Sequence, residues 1–205
     1  VKISYSGVCG SQLMEIGGYR GKDKWLPHLL GHEAVGTVKE IGKKITKFKV
    51  GDDVILTWIN SEGKAAKNPS YFTLNNKKIN AGKLTTFNNF TVTSENKLVK
   101  KPKSMKFDIA PLYGCCIQTG GGIVLNQIKP KKKDIVVILG LGGIGFSSLI
   151  TLKALNIKNI ICIDNNLNKL KIAKKLGVKK LINSNSKNFK REIYQITKRG
   201  GVDYC

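Results

Sequence analysis

Along the first half of the chain, apolar residues come in short runs broken by glycine and lysine. Along the second half they come in longer runs at regular intervals. Lys2–Val8 alternates weakly, as a strand with one wet face does. The stretch Gly31–Gly42 (GHEAVGTVKEIG) reads as a strand with an apolar face at Val35, Val38 and Ile41, and with glycines where backbones approach closely. After a lysine-rich turn, Gly51-Asp52-Asp53 opens a further strand, Val54–Trp58. Residues 60–90 are polar, with scattered Gly, Asn and Pro, and predict a long loop or short irregular strands. Phe90–Val92 and Lys97–Val99 read as returning strands, and Thr119–Gln127 as a helix.

The second half is organised by Ile135–Asp164. The β-branched run Ile135–Leu139 leads into Gly140, Gly142 and Gly145 at G-x-G-x-x-G spacing, with Gly143 and Ile144 completing the loop. An apolar helical stretch comes next, and a second apolar run closes on Asp164, 19 residues after Gly145. Strand, glycine turn, helix, strand and acid in that order are the pattern of a dinucleotide-binding unit. Gly140 allows the tight turn and Gly142 lets the backbone approach a pyrophosphate. Gly145 lets helix and strand pack, and the helix N-terminus offers free N–H groups to the phosphates. Two plainer readings compete: glycines that serve packing only, and a membrane span, since Ile135–Leu152 carries no charge. Four glycines in that stretch and the fit to a βαβ unit argue against the span. Beyond Asp164 the alternation continues. A helix over Asn166–Leu176 stops at Gly177, a strand covers Lys180–Ile182, a helix Phe189–Thr197 and a strand Val202–Cys205.

Composition changes this picture little. The 205 residues suffice for one large or two modest domains. The net charge of +23 comes from 36 Lys+Arg against 13 Asp+Glu, but Arg stands only at 20, 191 and 199 and the lysines are spread along the chain. A nucleic-acid reader would show clustered Arg with interleaved aromatics. Abundant Lys, Asn and Ile, all with A/T-rich codons, point instead to the composition of the source genome. Five cysteines at 9, 115, 116, 162 and 205 are odd in number and do not space like a disulfide scaffold. A reducing cytoplasm is the expected compartment. Val1 and Cys205 both fall inside apparent strands, so the chain reads as an internal fragment.

Three local frames carry candidate chemistry: Gly7-Val8-Cys9-Gly10-Ser11, Gly31-His32-Glu33-Ala34-Val35-Gly36 with Gly42 and Ile45, and Gly114-Cys115-Cys116-Ile117-Gln118-Thr119-Gly120. Together with the glycine fingerprint after them, they resemble the zinc-dependent medium-chain alcohol dehydrogenases over essentially the whole chain. The resemblance implies an α/β plus β architecture. A GroES-like β-rich catalytic domain (1–118, its first strands missing) would precede a partial Rossmann domain with a doubly wound parallel sheet (119–205, incomplete at its C-terminal end). It implies one catalytic zinc held by Cys9, His32 and Cys115. Cys2His leaves a fourth position open, as catalytic zinc sites do. It places Glu33 beside the metal as a transient ligand and Ser11 as the hydroxyl that takes the alcohol proton. Trp58 falls on a substrate-pocket aromatic, with plain strand packing as the alternative. Cys116 competes with Cys115, but the spacing to Thr119-Gly120 favours Cys115. Cys162 reads as core.

The chain departs from the family pattern at three places. Gln12 stands where an acid often orients the zinc histidine, and Met14 where a relay histidine often stands. Residues 55–98 contain no Cys, so no four-Cys structural zinc is expected there and that loop must be held by packing alone. Asp164, trailed by Asn165 and Asn166 with no Arg, favours NAD over NADP. Lys169 falls near the adenosine ribose in the family, though a solvated surface lysine reads equally well. The expected activity is hydride transfer between an alcohol, or the matching aldehyde or ketone, and NAD(H). The partner would be a small-molecule alcohol or aldehyde rather than nucleic acid or membrane, and the family suggests a homodimer or homotetramer. Rival readings are a polyol or amino-alcohol dehydrogenase, a zinc-free quinone or enoyl reductase of the same fold, and a non-catalytic basic nucleotide- or RNA-binding protein.

Overall fold

A computed structural model describes residues 1–198 and 200–205. They form two compact units, Val1–Cys115 and Cys116–Cys205.

The first unit is built on an antiparallel sheet of four strands in the order β1-β2-β3-β6: β1 (Lys2–Ser6), β2 (Glu33–Thr37), β3 (Asp53–Thr57) and β6 (Leu98–Lys100). A small hairpin of β4 (Tyr71–Phe72) and β5 (Lys78–Ile79) lies in the polar stretch, as short irregular strands. A helix, α1 (Gly10–Ile16), comes after β1. β2 and β3 are buried almost throughout, because their two faces feed two cores. Ala34, Val54, Leu56 and Leu98 pack with Val38, Phe48 and Leu84 on one side; Val35 and Ile55 pack with Ala110 on the other.

Several sequence-based expectations change in this unit. The Gly31–Gly42 strand stops at Thr37, because Val38 turns to exchange backbone hydrogen bonds with Gly51 and Asp52. Ile41 therefore leaves the apolar face and is 44% exposed. Phe90 makes only an isolated bridge to Lys2, and the returning strand is shifted to Leu98–Lys100.

The cysteine-free loop is also held by more than packing. Glu95 is buried, and its carboxylate accepts backbone N–H groups from Thr46 (3.1 Å), Lys47 (2.7 Å) and Lys64 (3.0 Å). Ser61 Oγ donates to the carbonyls of Asn96 and Leu98, and Lys97 Nζ donates to the carbonyl of Trp58. One carboxylate thus joins three separate pieces of chain. The N–H groups of Lys64 and Lys47 hold the Glu95 carboxyl below its usual range, against the upward push of burial.

The second unit carries a parallel sheet of β7 (Val136–Leu139), β8 (Ile160–Asp164) and β9 (Lys180–Asn183). All five residues of β8 are buried, as expected of a strand covered on both faces. Leu149 and Leu152 of α3 (Gly143–Ala154) and Leu170 and Ala173 of α4 (Leu167–Lys175) pack on Val136, Ile138, Ile160 and Cys162. Phe189, Ile193 and Ile196 of α5 (Phe189–Ile196) pack on Val137, Ile161, Ile163 and Ile182. The strand expected at Val202–Cys205 is reduced to a parallel bridge between Tyr204 and Val136, on the side of β7 away from β8. That places the segments in the order β9-β8-β7-Tyr204, the half-sheet order of a doubly wound fold. The helix expected at Thr119–Gln127 starts earlier: α2 covers Cys116–Gly122, and a wider π-type stretch continues over Ile123–Ile128. The uncharged stretch at Ile135–Leu152 resolves into β7, a turn and α3; among the described residues no helix is long and apolar enough to cross a membrane.

Both units offer a test of this packing. Leu152→Ala, at a site with no solvent exposure, should destabilise the second unit by about 2–5 kcal/mol in urea melts. Glu95 has a depressed folded pKa, so its contribution is full above the unfolded pKa and is lost as pH falls through the lower folded value. Urea midpoints measured from about pH 7 down to about pH 3 should therefore fall less steeply in Glu95→Gln, which starts lower, than in the parent protein.

Candidate metal centre and nucleotide loop

In the first unit, four side chains converge from three places in the chain. Cys9 is the residue that precedes α1. His32 and Glu33 stand at the start of β2, and Cys115 comes directly after the 3-10 turn Ala110–Gly114. Cys9 Sγ and Cys115 Sγ are 3.9 Å apart, and His32 Nε2 is 3.4 Å from Cys115 Sγ. With a carboxylate oxygen of Glu33, all four potential ligand atoms lie within 4.8 Å of one another.

Glycines clear the space for Glu33. A Cβ on Gly7 would meet its Cδ at 2.6 Å, and one on Gly114 would meet its Cβ at 3.0 Å. The side chain is buried, and its Oε2 has no hydrogen-bond partner among the described residues. Burial alone pushes its carboxyl up. Burial also lowers the pKa of His32, with the Glu15 carboxylate opposing, which favours a neutral imidazole with a lone pair to give. A buried carboxylate oxygen without a donor is costly, and a cation is one of the few groups that can satisfy it. Two sulfurs, one imidazole and an orphaned carboxylate form a donor set that fits zinc.

Around this cluster, Ser11 sits in the first turn of α1, half-buried, two residues after Cys9. Met14 is 44% exposed. The oxygen of Gln12 accepts the Gly31 N–H, and its amide donates to Glu15 Oε2 at 3.3 Å, so Gln12 acts on the backbone before His32. Trp58 leaves β3 one residue beyond Thr57, which pairs with Glu33. It is half-exposed, outside the strand core, with the Lys97 ammonium 5.6 Å from its ring centre. Cys116 stands outside the four-residue cluster, beginning α2. Cys162 lies in β8 with no exposure, and burial pushes its thiol up to about 12.

In the second unit, Gly140 takes a φ of +92°, a conformation open to glycine, and a Cβ on Gly145 would collide with the Gly140 carbonyl. Gly142 caps α3, whose first residues are Gly143, Ile144 and Gly145. Asp164 ends β8 beneath this loop. Its Oδ2 accepts the Leu141 N–H at 2.6 Å, and its Oδ1 accepts the Asn166 N–H at 2.7 Å. Burial pushes the Asp164 carboxyl up, but these N–H groups and Lys169 outweigh it and hold the pKa below the usual range. Lys169 Nζ stands 3.9 Å from Asp164 Oδ2 and is itself 42% exposed by side chain. An anionic carboxylate braced against the glycine turn is thus present where the strand ends. The bond from Leu141 ties the turn and the acid together, a link that spacing alone does not reveal.

Comparison with known proteins agrees with this architecture. Residues 1–103 match the alcohol dehydrogenase GroES-like domain, and residues 143–205 match the zinc-binding dehydrogenase domain. The chain is similar to benzyl alcohol dehydrogenase from Acinetobacter calcoaceticus, at 29% identity and a TM-score of 0.84, over 99% of this chain and 60% of that one. It is similar to an alcohol dehydrogenase zinc-binding domain protein from Burkholderia ambifaria, at 25% identity and a TM-score of 0.87, over 100% and 61%. A quinone oxidoreductase from Pseudomonas syringae shares the fold, at 23% identity and a TM-score of 0.78, over 98% and 55%. The chain thus spans about 60% of the length of the first two solved relatives. With one domain match covering its first 103 residues and the other its last 63 (143 to 205), the chain belongs to the medium-chain dehydrogenase/reductase family of oxidoreductases.

Proposed function

We propose that this protein is a zinc-dependent alcohol dehydrogenase that moves a hydride between an alcohol, or the matching aldehyde or ketone, and NAD(H). The observation that carries the reading is the cluster of Cys9, His32, Glu33 and Cys115, with its orphaned carboxylate oxygen. Zinc bound there would polarise the alcohol oxygen and lower the pKa of its hydroxyl. Cys9 and Cys115 would bind as thiolates and offset the metal's charge, and His32 would bind through its neutral ring. Glu33, enclosed by Gly7 and Gly114, offers one more oxygen to the same centre. Ser11 would take the proton from the substrate hydroxyl and pass it on. Met14 cannot continue that transfer, so the route runs through water or the cofactor ribose.

In the second unit the turn from Gly140 to Gly145 would hold the pyrophosphate against the N-terminus of α3. Asp164 would accept hydrogen bonds from the ribose hydroxyls and repel a 2′-phosphate. The quinone oxidoreductase likeness supports the fold alone. A zinc-free reductase would have no use for two thiols, an imidazole and a buried unpaired carboxylate in one place.

Two measurements on the whole enzyme test this reading. Cobalt-substituted enzyme should show thiolate-to-cobalt charge-transfer absorption. Cys115→Ser should weaken that absorption and lower alcohol oxidation by roughly 10³-fold, since the metal supplies several kcal/mol of charge stabilisation; unchanged spectra and activity would refute the metal assignment. Asp164→Asn, which keeps an acceptor for Leu141, should raise KM for NAD by roughly 10-fold and narrow the preference over NADP. An unaltered ratio of the two cofactors would remove Asp164 from the ribose site.

A further inference from the structure

A second convergence of ligand-type side chains lies in the first unit, apart from the cluster described above. Glu15 is near the end of α1, and Asp23 and His28 stand in the loop that leads to β2. Their ligand atoms lie within 4.8 Å of one another. His28 Nε2 is 2.6 Å from Asp23 Oδ2 and 3.6 Å from Glu15 Oε1. The side chains are 11% (His28), 22% (Asp23) and 33% (Glu15) exposed, so the cluster is held by the fold but open to water on one side.

Each of the three groups has its other polar atom engaged. Asp23 Oδ1 accepts the Trp25 N–H at 2.8 Å, and Glu15 Oε2 accepts the Gln12 amide at 3.3 Å. His28 Nδ1 is 3.2 Å from the Leu29 carbonyl, an acceptor, which turns Nε2 inward to the two carboxylates, at hydrogen-bond distance from Asp23 Oδ2. That is how ligating histidines and carboxylates are oriented in metal sites. The backbone is braced as well: Asn80 donates its N–H to the Pro27 carbonyl and accepts the Leu29 N–H. With no hydrogen on Nε2, three acceptor atoms face one another in a fixed frame, and a proton shared with Asp23 or a cation between them offsets their repulsion. Among the described residues, the ion pairs of Glu15 and Asp23 run to His28 and to no Lys or Arg, in a chain with 36 of those cations.

We infer that Glu15, Asp23 and His28 form a second metal site, which takes a divalent transition-metal ion such as zinc through one imidazole nitrogen and two carboxylates, with water completing the shell. The donor set suits such an ion. Around a four-coordinate ion with bonds of about 2.0–2.2 Å, neighbouring ligand atoms stand roughly 3.3–3.6 Å apart. The His28–Glu15 separation already matches, and Asp23 Oδ2 needs to retreat by less than about 1 Å, within reach of a side-chain rotation. Such an ion would tie α1 to the loop before His32. It shares no ligand with the thiolate centre and adds a second metal to the one that the family resemblance implies.

Stepwise titration of the metal-free full-length protein with Co²⁺ tests this. The first equivalent should bring thiolate charge-transfer absorption, and the second should bring ligand-field bands alone and shift the His28 ring resonances. His28→Ala and the milder Glu15→Gln should each lose the second equivalent and keep the thiolate absorption, with unchanged far-ultraviolet circular dichroism. A wild type that takes up no ion beyond the thiolate-bound one, with His28 titrating as an imidazolium between its two acids, would overturn the inference. So would a second equivalent that survives in both variants. Absence of thiolate absorption while the carboxylate–histidine site still fills would count against the proposed alcohol dehydrogenase chemistry alone.

Discussion

A carboxylate buried without a partner for one of its oxygens is the constraint around which the first unit is arranged. Glu33 begins one of the two enclosed strands of the antiparallel sheet, and its register with Thr57 fixes its height above the core. A Cβ at Gly7 would enter the volume that Glu33 fills, and one at Gly114 would strike the Leu56 carbonyl and press on the Glu33 Cβ. The backbone is tied at the same level: the Glu33 carbonyl accepts from Gly7 N–H at 3.0 Å and Ser6 Oγ at 3.1 Å. The loops carrying Cys9 and Cys115 are thereby drawn to one place. Desolvating an acid in this way is unfavourable by itself, so the arrangement makes physical sense as a site built for a cation.

Several of the scarce acids of this lysine-rich chain gather backbone N–H groups, and Asp52 and Asp164 do so beside a lysine ammonium as well. Glu95 gathers N–H groups from residues 46, 47 and 64. Asp164 gathers those of Leu141 and Asn166, and Asp52 and Asp134 close turns by accepting from Lys49 and Lys131. Hydrogen bonds from fixed N–H groups hold a carboxylate with less entropy loss than a flexible lysine would.

Legibility in the sequence tracked the range of the signal. The second unit could be read because its fingerprint is local: a buried parallel strand, a glycine turn that sterics demand and an acid at a set distance. Cys9, His32 and Cys115 could be picked out through the glycine-rich frames around them, although nothing local says that they meet. The features that escaped were decided by contacts between distant segments. Ile41 matched an apolar period but lies beyond the point where Gly51 and Asp52 end the strand. α1 has seven residues and only Gln12 buried, too little apolar content to show a helical period. Nothing near Glu95 in the sequence marks its role, because its three donors come from residues 31 to 49 positions away. Glu15 lies near the end of a helix without an apolar period, Asp23 and His28 fall in the unpatterned loop after it, and only the fold shows that they converge.

In the loop over residues 55–98, a carboxylate does the fastening that a metal does elsewhere, and this changes how the protein can assemble. A lobe closed by four cysteines can form only where zinc is supplied and thiols stay reduced. A lobe closed by the side chain of Glu95 needs neither. It can fold as soon as its own segments have been synthesised, before any ion arrives, and it survives oxidants and chelators that would strip a thiolate site. The order of assembly of this lobe is then set by the chain alone, and its closure does not wait on a supply of metal.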